Sequence, residues 1–83
     1  MKAPELSPNA LKVLQPLRER AMDGYSLLSR TGLDPQQLAE ALRELRGQEL
    51  VVVRGELAAE RIQDAYAYVP PDALGYADVL LSR

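Results

Sequence analysis

The chain has 83 residues, 47 % of them apolar and 27 % charged, with a net charge of −2. That is enough for one domain with a modest core, and too apolar for a disordered chain. Cysteine and histidine are both absent, which excludes a disulfide, a thiolate nucleophile, an imidazole metal site and histidine acid–base chemistry.

Residues 1–6 read as a flexible arm and residues 7–83 as the domain. Ser7-Pro8 is a helix start, a serine cap followed by proline at the first helical position. Ala10, Leu11, Val13, Leu14 and Leu17 follow at helical spacing, so a first helix runs from about Pro8 to about Arg20. Pro16 lies inside it and predicts a kink or a break into two pieces. Asp23-Gly24 reads as a turn. Tyr25, Leu27 and Leu28 then form a short second helix that stops at Gly32.

Asp34-Pro35-Gln36-Gln37 is the clearest start signal, with Asp34 as cap and Gln37 completing a capping box. The third helix carries Leu38, Ala41, Leu42 and Leu45 on one stripe. Gly47 is expected to take a positive φ and end it near Arg46. Leu50 to Val53 reads as a strand, interrupted at Gly55, and Ala65 to Val69 as a second strand with Tyr66 and Tyr68 on one side. Residues 56–64 suit either a helical turn or extended chain. Pro70-Pro71 ends the hairpin. Ala73, Leu74, Ala77, Leu80 and Leu81 make the apolar stripe of a final helix of about ten residues. The longest apolar runs are four or five residues, far below the ~20 needed to cross a bilayer. The N-terminus also lacks a signal-peptide pattern, so the expected location is cytoplasmic, away from membranes.

The run Gly24-Tyr25-Ser26-Leu27-Leu28-Ser29-Arg30-Thr31-Gly32-Leu33-Asp34 has the order of a helix, a glycine turn and a capped helix. With Leu42-Arg43-Glu44-Leu45, Leu50-Val51-Val52-Val53-Arg54 and Tyr66-Ala67-Tyr68-Val69-Pro70, nearly the whole chain resembles the winged helix-turn-helix superfamily. The similarity is to the multiple-antibiotic-resistance regulator and phenolic-acid repressor families. It implies an α+β fold: a three-helix core, a β-hairpin wing and a short final helix. There are departures. Glu49 stands where those families commonly have glycine before the strand leucine, Pro70 stands where they often have a capping threonine, and the last helix is short.

The resemblance implies a prokaryotic-like, DNA-binding transcription regulator or nucleic-acid accessory factor that uses the third helix for recognition of double-stranded DNA. Gln36, Glu40 and Arg43 lie opposite the leucine stripe, flanked by Gln37 and Glu44; glutamine can pair with adenine and arginine with guanine. Arg54 and Arg61 are the hairpin's cations, and Lys12, Arg18 and Arg20 are the first helix's candidates for phosphate contact. The charge balance motivates an alternative partner. Residues 34–49 set Arg43 and Arg46 against Asp34, Glu40, Glu44 and Glu49, and the hairpin is also acidic. The alternative is therefore a winged-helix module that binds protein and no DNA. Leu74, Leu80 and Leu81 are candidates for a homodimer seam, or they close the domain's own core. Tyr25 and one strand tyrosine are expected to pack on the core. No catalytic constellation, metal site or cofactor motif is present in the sequence, so an enzyme is not expected.

Overall fold

A computed structural model describes residues 6–82. Those residues form an α+β domain of four α-helices, one 3-10 helix and a three-stranded antiparallel sheet. Of the expected arm, residues 1–5 lie outside the described residues, while Leu6 packs half-buried against the core.

Helix α1 (Pro8–Glu19) begins as its sequence dictates: the Ser7 hydroxyl accepts the Ala10 N–H at 3.2 Å, and proline stands in the first turn. It does not divide at Pro16. The missing proline N–H removes one ladder bond, but Pro16 is itself buried among Val13, Leu14 and Leu17. Burial of that face holds the helix continuous.

The turn expected at Asp23-Gly24 is instead a two-residue strand, β1 (Met22–Asp23), leading directly into α2 (Gly24–Thr31). So short a strand exists only because a partner accepts it: Met22 pairs with Ala67 and Asp23 with Tyr66. Asp23 also caps α2, its carboxylate accepting the Ser26 N–H at 2.8 Å. The helix stops at Gly32, which adopts φ 73°.

Helix α3 (Pro35–Gly47) carries the complete capping box read from Asp34 and Gln37. Its end differs from expectation. The residue with positive φ is Glu49, at 59°, not Gly47. The Leu50 N–H reaches back to the Leu45 carbonyl at 3.0 Å and the Glu49 N–H to Arg46 at 2.9 Å. This is a Schellman closure that sets Leu45 and Leu50, both buried, on either side of a left-handed residue.

Strand β2 is Val52–Arg54, shorter and later than the expected Leu50–Val53; Leu50 and Val51 belong to the core but precede the ladder. The ambiguous stretch contains a 3-10 helix (Ala59–Asp64) packed against α2 and α3, with Ile62 and Leu57 buried. Strand β3 (Tyr66–Tyr68) lies in the middle of the sheet, order β1-β3-β2. Helix α4 (Pro71–Leu81) packs on α1 through Ala73, Ala77 and Leu80. The core is aliphatic, and no polar or charged residue is buried among the described residues.

Candidate interaction surfaces

The face of α3 away from its leucines is where the sequence concentrates recognition candidates. Gln36, Gln37, Glu40 and Arg43 are all exposed there. Two of them already have partners. The Gln37 side-chain oxygen accepts the Asp34 N–H at 3.1 Å, and the Arg43 guanidinium donates to the Leu57 carbonyl at 2.7 Å. Glu44, on the opposite margin, is half-buried; its carboxylate accepts both the N–H and the hydroxyl of Ser7, each at 2.8 Å. That contact ties the start of α1 to the last turn of α3. Gln36 and Glu40 remain as the strip with no hydrogen bond among the described residues.

The other cations are scattered. Arg18 is ion-paired with Asp78 of α4, which takes it out of the set of free phosphate contacts; Lys12 and Arg20 are exposed on and just after α1. Arg61 lies 3.9 Å from Glu56, with both side chains largely in water. A contact of that length and exposure contributes little. Arg54 is exposed on the sheet. The proposed seam residues on α4 also separate. Leu80 is buried in the domain's own core, Leu81 is half-buried, and Leu74 is exposed, as are Tyr76 and Val79, which periodicity had not singled out.

The sheet has two distinct faces. The row Met22–Ala67–Val53 faces the helices. The row Asp23–Tyr66–Arg54 and the pair Val52–Tyr68 face outward. Tyr66 is 46 % exposed and Val52 37 %, and Tyr68 is half-buried. Tyr25, expected in the core, is instead 65 % exposed at the first turn of α2. The reason is its register: Gly24 and Leu27 take the buried positions of this eight-residue helix, and Tyr25 falls between them. No tyrosine is buried. Alternation along Tyr66-Ala67-Tyr68 made the strand pair findable, whereas nothing local marked Tyr25 as a surface residue.

Asp23, at the border of this face, has its pKa held below 3.8, chiefly because the Ser26 N–H donates to its carboxylate and secondarily through the Ser26 side chain. Two open clefts flank α1: one against α4 (Gln15, Arg18, Glu19, Asp78), the other against α2 (Lys12, Pro16, Arg30, Thr31). Among the described residues, no group of three histidine, cysteine or acidic side chains is placed to hold a metal, and no helix is long and apolar enough to cross a membrane. No protein-family model, curated protein or solved structure matches this chain.

Proposed function

We propose that the chain is a winged helix-turn-helix domain whose working surface docks another protein. The element order α1-β1-α2-α3-β2-β3, with sheet order β1-β3-β2, supports that fold assignment. The observation that carries the docking reading is the position of the aromatic residues. The chain has four, all tyrosine, and its core uses none of them. Tyrosine and arginine are enriched at protein interfaces, where a few such anchors dominate the binding energy. Here Tyr66, Tyr68 and Arg54 share the outer face of the sheet, and Tyr25 stands on the helix that continues from β1.

Transcription regulation through duplex DNA is the second reading. It is favoured by the exposed Gln36 and Glu40 on α3, which have the chemistry to read adenine and cytosine. Against it stands the engagement of Arg43 with Leu57. Phosphate affinity rests on clustered cations.

The test has two arms. Fluorescence polarisation with mixed-sequence duplex DNA at ~50 mM salt is expected to show no binding that falls steeply with added salt. A protein co-purifying with the chain, once isolated, is expected to bind the wild-type domain and to lose at least about 30-fold in affinity to a Tyr25→Ala/Tyr66→Ala variant, the equivalent of ~2 kcal/mol. Salt-dependent duplex binding that Arg43→Ala abolishes would overturn the docking reading in favour of DNA.

A further inference from the structure

Asp23-Gly24 is the only Asp-Gly pair in the sequence. With no Cβ on the following residue, the nitrogen after such an aspartate is unshielded, and the pair can react with itself. The Gly24 nitrogen attacks the carboxyl carbon of the Asp23 side chain and a C–N bond forms. The carboxyl oxygen leaves as water, taking the carboxyl proton and the amide proton. Water then opens the resulting five-membered imide at the main-chain carbonyl carbon of Asp23, so that Gly24 stays joined through the side chain. One water is lost and one regained, and the product, isoaspartate, has the mass of the starting chain.

Both residues are fixed here by other demands. A Cβ at position 24 would sit 1.7 Å from the Ile62 carbonyl oxygen, and the Asp23 carboxylate caps α2. The folded junction also blocks the reaction. The Ala65 carbonyl holds the Gly24 N–H at 2.8 Å. Asp23 has ψ 169°, which turns the Gly24 nitrogen away from its side chain, whereas the ring needs the two side by side. The Ser26 N–H keeps the carboxylate ionised, and an ionised carboxylate has no hydroxyl to release as water. The first two restraints last only while β1 stays on β3. That strand is two residues long, lies at the edge of the sheet, and pairs only through Met22–Ala67 and Asp23–Tyr66.

We infer that Asp23-Gly24 is a self-modification site gated by β1: inert while the strand is paired with β3, and converted to isoaspartate when the strand is released. The product carries one extra atom in its backbone path, so β1 cannot regain its register with β3, and the carboxylate that capped α2 is consumed in the new linkage. Where the docking reading holds, this irreversible step also separates Tyr25 from Tyr66. The chemistry itself does not depend on that reading.

Prolonged incubation at neutral pH followed by peptide mapping tests it. Trypsin releases residues 21–30 as one peptide, because Arg20 and Arg30 flank it, and the isoaspartyl form separates by retention at unchanged mass. The same peptide free in solution sets the unrestrained rate. In the intact domain the conversion is expected to be slower by at least about 30-fold, and the slowing should match the hydrogen-exchange protection of the Gly24 amide. That amide should exchange faster than the amide of Leu42 in the core of α3, because release of β1 is local. Met22→Ala removes the buried anchor of β1 and is expected to speed conversion by about 10-fold or more, while the same substitution in the free peptide changes nothing. A domain that converts as fast as the peptide overturns the inference. So does a Gly24 amide protected as fully as Leu42, since only global unfolding would then expose the site, or a folded Met22→Ala domain that converts at the wild-type rate. The comparison of the two amides uses the wild-type chain, so it decides the matter even if Met22→Ala does not fold.

Discussion

Adding one methyl group at Gly24 and one at Gly75 applies the same chemistry to two helices and is expected to give opposite results. At Gly24, the first residue of α2, a Cβ would sit 1.7 Å from the Ile62 carbonyl oxygen and 2.6 Å from its carbon. Both atoms are backbone of the 3-10 helix, so no rotamer relieves the clash. That helix would have to retreat by more than an ångström, withdrawing fully buried Ile62 from the core. The Gly24 N–H bond to Ala65, at 2.8 Å, lies at the same junction and would be strained with it. Overpacking of this kind costs about 1–3 kcal/mol, and a backbone obstacle places Gly24→Ala near the upper end, at about 3 kcal/mol. For a domain of this size the melting temperature then falls by roughly 12–24 °C. At Gly75, within α4, nothing lies within 4 Å of the added carbon. There the only change is helix propensity, about 0.5–1 kcal/mol in favour of alanine, and Gly75→Ala should melt roughly 2–8 °C higher. Thermal melts followed by circular dichroism read both. A Gly24→Ala domain melting within about 3 °C of wild type would refute the close approach of α2 and the 3-10 helix.

Three further outcomes follow from local geometry. Glu49 holds a left-handed conformation at the end of α3, so Glu49→Gly should stabilise the domain by about 1 kcal/mol, seen as a shifted urea midpoint with unchanged slope; a loss of stability would show that the Glu49 side chain has a compensating role. Glu44→Ala strips the Ser7 N–H and hydroxyl of their common acceptor and should cost about 1–2 kcal/mol by the same assay, with Glu44→Gln intermediate. Asp23 has a folded-state pKa depressed below 3.8 by the Ser26 N–H. Its stabilising contribution is therefore complete above that value and is lost as pH falls through the lower, folded one; a carboxyl NMR titration should place its midpoint below 3.8, and Asp23→Asn should remove that part of the acid sensitivity.

Helix starts were the most legible feature of this sequence because a cap is a contact over three residues. Ser7-Pro8, Asp34-Pro35-Gln37 and the stop at Gly32 all appear where the residues placed them. The misreadings fall where packing or pairing, and not a local signal, sets the backbone. Pro16 predicts a break from local sterics alone, but its ring is buried among α1's core residues and the helix stays whole. Asp23 looks like a turn residue until Tyr66 arrives beside it. Gly47 was the natural choice for a positive φ, yet the position of that residue is set by where Leu50 must dock against Leu45. The segment after Gly55 was undecidable because its two apolar anchors, Leu57 and Ile62, are five residues apart and fit neither a strand face nor a regular helical stripe.

The same limit bears on what α3 can bind. Periodicity identifies which side of a helix turns away from its leucines, but not whether that side meets water. Arg43 and Glu44 are neighbours on the outward arc, and they find partners in opposite directions, Leu57 on one side and Ser7 on the other. What remains between them is Gln36 and the carboxylate of Glu40. An approaching phosphate would thus meet negative charge first and would have to draw Arg43 away from a charge-assisted hydrogen bond, a contact of about 1.5–3 kcal/mol in general and less where water competes. A protein seated on Tyr66, Tyr68 and Arg54 displaces no internal bond. The difference lies in what each partner must break before it gains anything, and it is the energetic argument behind the proposed protein-docking reading.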